Sequence, residues 1–506
     1  MNRSLPPAAR PAVVVRRPAR QATDLMFPAR LAAARPPVRA AVLGAAAFVA
    51  AAALWPSAAA AQTWTGASGT DLFWGTAGNW SPATVPNSAT ADAAFPSLSI
   101  LASQTIDLQA AAFNVRSLTF NAADAYALTN GTLTFNTGGK VTQSGAGAVA
   151  IGAALNLNNV AVTFDGTGAG AVGLTGALSS TTPASGALTL NATGGTPYVL
   201  TVGGAASNTY TGNTTVTAGT LVLGKDAGLT AVAGKLVMNA AAGTARLAGA
   251  DQTVGALEGN TAAATIDLNG RNLSVGTFNT GTTFAGNITG AGNLVKTAAG
   301  SSGAVQSLAG TARSYTGQTI IRNGGLTVTA SVLPGVNGPL GNASSAVLLS
   351  DATTSASPDT NTTREILTID AGASNQTMQF GRDIDASGAP TTALGRNRIQ
   401  FTGSSSANSS TLTVSGAVNA GANRRLELTT VQPLELMNFT GPIGGTNANG
   451  ILVNGSGSGT GGVRFGSSTS TFQNPLQVTN GTLFVGGSTA NDSAAAGPLG
   501  RGSVTT

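Results

Sequence analysis

Seven times along this chain a leucine is followed by threonine and another large apolar residue, starting at Leu118, Leu133, Leu188, Leu200, Leu326, Leu367 and Leu412. Each triplet puts two apolar side chains on one face and a hydroxyl on the other, the alternation of a half-buried strand. Between such strands lie Asn-Gly pairs, at Asn130, Asn269, Asn323, Asn337, Asn449, Asn454 and Asn480. Both residue types accept the left-handed backbone that sharp corners require. No amphipathic helical period appears after the first sixty residues. The core must therefore be assembled from many short strands.

Two all-β architectures can do this. Parallel strands need crossovers, which a helix-free chain supplies by winding round one axis as a β-helix. A row of antiparallel sandwiches is the alternative, since Asn-Gly also closes hairpins. Sandwiches bury large aromatics, yet Phe, Tyr and Trp make up only 5% here, while glycine numbers 68. Small interior residues suit a narrow, stacked core, so the β-helix is preferred. Charged residues are 9%, against roughly 25% in ordinary globular domains. With 42% hydrophobic residues, the composition is not that of a disordered chain.

Residues 1–61 have the form of a secretory signal peptide. Eight arginines and one acid, Asp24, precede the apolar run Ala40 to Trp55, and Ala59-Ala60-Ala61 supplies a cleavage site before Gln62. The basic head is long, and a start at Met26 would leave an ordinary leader. Arg16-Arg17 lacks the surroundings of a twin-arginine signal. Without the leader, basic residues fall to 25 − 8 = 17 and acidic ones to 19 − 1 = 18, a net charge of about −1. The sequence pI of 10.2 thus belongs to the leader. The exported part carries no basic footprint for nucleic acid or an anionic membrane, and no membrane span. With no cysteine, it is held by burial and backbone pairing alone.

Three segments align without gaps: Tyr210-Thr-Gly212-Asn-Thr-Thr-Val216-Thr-Ala-Gly219-Thr-Leu221, Tyr315-Thr-Gly317-Gln-Thr-Ile-Ile321-Arg-Asn-Gly324-Gly325-Leu326, and Phe472-Gln-Asn-Pro-Leu-Gln-Val478-Thr-Asn-Gly481-Thr-Leu483. Each reads aromatic, strand, glycine corner, strand. The aromatics are expected to pack at a recurrent position, and Asn213, Asn323 and Asn480 to satisfy turn backbone. Before the second copy runs Gly286-Asn-Ile288-Thr-Gly290-Ala-Gly292-Asn-Leu294-Val-Lys296; Pro339-Leu340-Gly341 and Pro498-Leu499-Gly500 follow the second and third copies.

These segments resemble the autotransporter-associated β-strand repeat, also called the passenger-associated transport repeat, as does the opening with Trp64, Trp74, Trp80, Pro86 and Phe95. The resemblance is specific at the three copies and looser between them. It implies a right-handed parallel β-helix passenger, at or released from the surface of a Gram-negative-type bacterium. It also implies repeats that assist passage across the outer membrane, with export machinery and an outer-membrane translocator as partners. The expected layout is a signal peptide over 1–61, a Trp-rich capping module over 62–125 and the β-helix over 126–506, with repeats near 208–224, 286–341 and 470–506. The exported part has 506 − 61 = 445 residues. At ~20 residues per turn these predict roughly 20 turns and a rod on the order of 100 Å. The sequence stops at Thr506 within a strand signal with no barrel following, which reads as a truncated frame rather than a passenger with a separate translocator.

Candidate sites are sparse. Lacking histidine and cysteine, the chain has none of the usual nucleophile–base pairs or thiolate and imidazole metal clusters. Asp226, Asp251 and Asp267 are dispersed and lie in no calcium-loop pattern; no cofactor is expected. Gly455 to Gly462 lacks the lysine and serine of a phosphate loop. Asp383 and Asp385, in Arg382-Asp383-Ile384-Asp385, place two carboxylates on one face of a strand, as rim charges or as part of a polysaccharide-acting site. Trp64, Trp74 and Trp80 are an end cap or, alternatively, a sugar-stacking platform. The leading expectation is a non-enzymatic, adhesive or structural passenger contacting host or neighbouring-cell surfaces or glycans. A polysaccharide lyase or hydrolase on the same fold, and an export-promoting fragment of a larger autotransporter, are the alternatives.

Overall fold

The computed structural model describes residues 61–98, 103–181, 186–194, 198–298, 304–354, 363–388, 395–403, 409–446, 449–455, 461–473, 475–486, 497–500 and 504–505. The expected leader through residue 60 and the glycine-rich 456–460 lie outside the described residues.

From Gln62 onward the chain is a parallel β-solenoid of about 15 turns. Strands pair not with their chain neighbours but with the strand one turn away. Phe95 is the register partner of Phe120, Leu118 of Val141, and Val141 of Phe164. Each turn has three faces. The first face starts with Asp92–Phe95 and continues through 117–120 and 140–143 to Leu476–Asn480. The second starts with Ser103–Asp107 and Ala125–Thr129. The third starts with 112–115 and 132–135. Among the described residues, one named strand pair is antiparallel: Gln62–Trp64 with Trp80–Ser81.

All seven leucines that open the Leu-Thr-apolar triplets are buried in the single core. Turn number and length correct the sequence expectation. Register partners Leu118 and Val141 are 141 − 118 = 23 residues apart, and Leu367 and Ile399 are 399 − 367 = 32 apart. Turns longer than ~20 residues give about 15 of them, and at ~4.8 Å each a stack of about 70 Å. The start of the stack moves too. Asp92–Phe95 already pairs with the next turn, so stacking begins well before residue 126.

Glycine content has a second cause beside turn conformation. At one corner, a Cβ on Gly145 would lie 1.9 Å from the Ala122 carbonyl oxygen, and one on Gly168 would lie 2.3 Å from that of Gly145. Backbone stacks on backbone there. Another corner is held by a side-chain ladder: Asp251 Oδ1 accepts the Asn272 N–H, Asn272 Oδ1 that of Asn293, and Asn293 Oδ1 that of Gln318. Each rung satisfies a backbone donor of the next turn, so this partly exposed corner leaves no amide of the ladder unpaired.

The N-terminal end is closed by aromatic rings. Trp64, Trp74 and Trp80 are buried, with Trp80 edge-on to both others at centroid distances of 5.0 and 4.9 Å. Trp74 Nε1 donates to Pro86 O and Trp80 Nε1 to Trp74 O. Phe95 continues the column and stacks on Phe120 at 4.6 Å. Covering the first turn from water is the cap reading, whereas a sugar platform needs exposed ring faces.

Candidate functional site

The three aligned repeats form the same kind of corner. Gly219, Gly324 and Gly481 have φ of 92°, 82° and 85°, the left-handed region where a side chain is strained. In the second copy that role belongs to Gly324, with Gly325 just beyond it. Tyr210, Tyr315 and Phe472 are fully buried. The Tyr210 hydroxyl bonds Thr214 Oγ1 at 2.5 Å and the Tyr315 hydroxyl bonds Thr319 Oγ1 at 2.7 Å. Phe472 has no hydroxyl, and the residue four positions on is Leu476, also buried. The pair changes together, so no polar atom is stranded. Burial pushes the Tyr210 phenol up to about 12, against the pull of Thr214. These aromatics are core residues.

The copies do not share one corner of the solenoid. Thr214–Lys225 turns from the first face to the second, and so do Leu476–Asn480 and Leu483–Val485. Thr319–Ile321 belongs to the third face and Gly324–Val328 to the first. The second copy is rotated by one face. Of the corner asparagines, Asn323 Nδ2 donates to Ala298 O and Asn480 Oδ1 accepts the Gly481 N–H.

Asp383 and Asp385 serve the backbone. Asp383 precedes the short strand Ile384–Asp385, and its Oδ1 accepts the Ala417 N–H of the next turn. Asp385 Oδ1 accepts the Ser387 N–H two residues on. Its register partner Asn419 does the same for Gly421. Asp107, Asp267 and Asp370 make the same two-residue turn. Since Asn fills the place next to Asp385, the role is the acceptor oxygen, not the charge.

Arg382, beside the exposed Asp383, points inward: it is buried, donating to Ser345 O and Leu340 O. Arg313 is buried likewise, over the Phe284 ring and donating to Phe284 O and Ala309 O. Arg424 and Glu365 form an enclosed ion pair. Nothing in the sequence marked these as interior, because all three arginines lie in the connections between strands, where no alternation assigns a residue to one face. Among the described residues, no group of three or more His, Cys, Asp or Glu could hold a metal. No helix among them is long and apolar enough to cross a membrane.

Among the described residues, the outer surface carries a trough that sequence reasoning missed. It lies on the first face, has a volume of about 540 Å³, and is lined by Asn239, Glu258, Asn260, Thr283, Val305 and Ser307 with Gly259 and Gly281. Its partners sit on successive turns, so only the winding brings them together. Glu258 Oε2 accepts Lys235 Nζ at 2.8 Å. Asn239 Oδ1 accepts the Asn260 N–H, and the Thr261 hydroxyl donates to Asn239 O, fixing one wall. Thr283 and Val305 are exposed on the other side.

With the geometry in place, comparison adds no relative. No protein-family model matches this chain. No curated protein and no solved structure matches it either. Function must be argued from the solenoid and its surface.

Proposed function

We propose that this chain is an exported passenger, displayed at or released from the surface of a Gram-negative-type cell, acting as a structural and adhesive rod. The observation that carries the reading is the turn-by-turn stack. Backbone pairing joins each turn to its immediate neighbours, so a chain emerging from a pore can fold one turn at a time without waiting for distant partners. The repeat corners, resembling the autotransporter-associated repeat, lie within that stack, and Gln62, the expected first residue after cleavage, opens the first strand. Export machinery and an outer-membrane translocator are the partners this implies.

Binding without cleavage suits the surface. Glycoside hydrolysis uses a pair of carboxylates flanking the bond, and the trough is lined by one, Glu258. A rod of about 70 Å presents such a surface away from the membrane, toward host or neighbouring cells and their glycans.

Protease shaving of intact cells making the full chain tests the reading, together with N-terminal sequencing of the product. Digestion of intact cells and a terminus at Gln62 are expected. A chain that stays inside with its leader attached would refute export. Deleting the Tyr315 corner is expected to lower surface yield more than total synthesis; equal yield would remove the repeats' part in transport.

A further inference from the structure

We infer that the trough on the first face binds a short stretch of neutral, hydroxyl-rich polysaccharide. This rests on the adhesive reading and names its ligand class. The lining matches a sugar in three respects. The hydroxyls of Thr283 and Ser307 and the amides of Asn239 and Asn260 can donate and accept, as sugar hydroxyls do. Val305, 42% exposed, offers a small apolar surface for the C–H face of a pyranose ring. The Glu258 carboxylate is balanced by Lys235, so the trough favours neither a polyanion nor a polycation.

The trough is also built. Between Gln252–Glu258 and Thr282–Phe284 the first-face ladder shrinks to a single bridge, Gly259 to Phe284. Gly259 and Gly281 add no side chain to the floor, and a Cβ at Gly281 would meet nothing closer than the Val305 carbonyl oxygen at 3.7 Å. What holds the floor lies underneath. The buried Gln306 side chain donates from Nε2 to Leu257 O at 3.0 Å and to Thr282 O at 3.3 Å, while its Oε1 accepts the Thr282 hydroxyl at 3.0 Å. One glutamine ties three turns from inside and leaves their outer side open. Because Glu258, Thr283 and Ser307 belong to successive turns, an extended glycan lies along the axis of the rod.

Isothermal titration of the exported chain with cellohexaose, maltohexaose and mannohexaose tests the site, with trigalacturonate as the charged probe. At least one neutral hexamer is expected to bind in preference to trigalacturonate. The double variant Thr283→Leu/Ser307→Leu is expected to weaken binding about tenfold or more, with its melting temperature unchanged, and Thr283→Ser to retain binding. Failure of all three hexamers, preference for trigalacturonate, or equal binding by the double variant overturns the site. If the chain still adheres to cells in those cases, the adhesive rod stands and the trough falls. If it adheres to no cell and no glycan, the adhesive reading falls as well.

Discussion

Gly341 rests on Tyr315 of the preceding turn: a Cβ at Gly341 would lie 2.3 Å from the Tyr315 carbonyl oxygen and 2.9 Å from its ring. Gly500 stands the same way on Phe472, at 2.4 and 2.7 Å. The Pro-Leu-Gly that follows a repeat is thus the part of the next turn that closes over the repeat's aromatic. Arg382 then reaches up from the turn beyond to bond Leu340 O.

This contact predicts an asymmetry between two glycines of similar conformation. Gly341 has φ 72° and Gly335 φ 67°, yet a Cβ at Gly335 would meet nothing within 4 Å. Gly335→Ala should cost about 1 kcal/mol, from backbone strain alone. Gly341→Ala should cost about 3 kcal/mol or more, since the Tyr315 turn must also shift. Urea unfolding of both variants checks the difference, and equal losses would remove the packing role.

At the N-terminal end, Trp74→Ala should destabilise by about 3–5 kcal/mol, the range for a buried aromatic cut to a methyl. Hydrogen exchange should speed first in the turns around Phe95 and Phe120, which share its cluster. Uniform exchange across the solenoid would mean that the rings are not a local cap.

The ladder Asp251–Asn272–Asn293–Gln318 makes a directional prediction. Asn293→Ala leaves the Gln318 N–H without its 2.7 Å acceptor but keeps the Asn293 N–H on Asn272. Stability should fall by about 1 kcal/mol, with faster exchange at Gln318 and none at Asn293. Asn293→Asp keeps an acceptor oxygen and should restore protection.

Lys296 gives the fold a pH dependence. Burial pulls its ammonium down from 10.5 to about 8. Between those values the unfolded chain holds more protons than the folded one, so stability rises with pH from about 8 to about 10.5. Below 8 both states are protonated and the penalty of burying the charge is constant. Lys296→Met should lessen that rise and raise the melting temperature at pH 7, with Lys225, whose ammonium burial also lowers, keeping the remainder. A variant with the wild-type slope would contradict the assignment.

Much of the fold could be read from the chain. The Leu-Thr triplets mark inward and outward faces because alternation is a property of each strand alone, and glycine at 219, 324 and 481 marks corners because φ there is positive. What could not be read depends on which turn lies above which. Corner lengths vary, so register spacings of 23 and 32 residues coexist. The asparagine ladder runs at separations of 272 − 251 = 21, 293 − 272 = 21 and 318 − 293 = 25 residues, too irregular to stand out. The trough escaped for the same reason. Asn239, Glu258, Thr283 and Ser307 carry no shared local pattern and become neighbours only through the winding.

The one-face rotation of the middle repeat bears on how such rods lengthen. A corner cassette that works at either of two vertices can be copied without respecting whole coils, so duplication by a fraction of a revolution remains foldable. Each fractional insertion then swings everything downstream by about a third of a circle, resetting the compass bearing of one surface feature against another. Two rods of equal length can therefore aim their contact points in different directions.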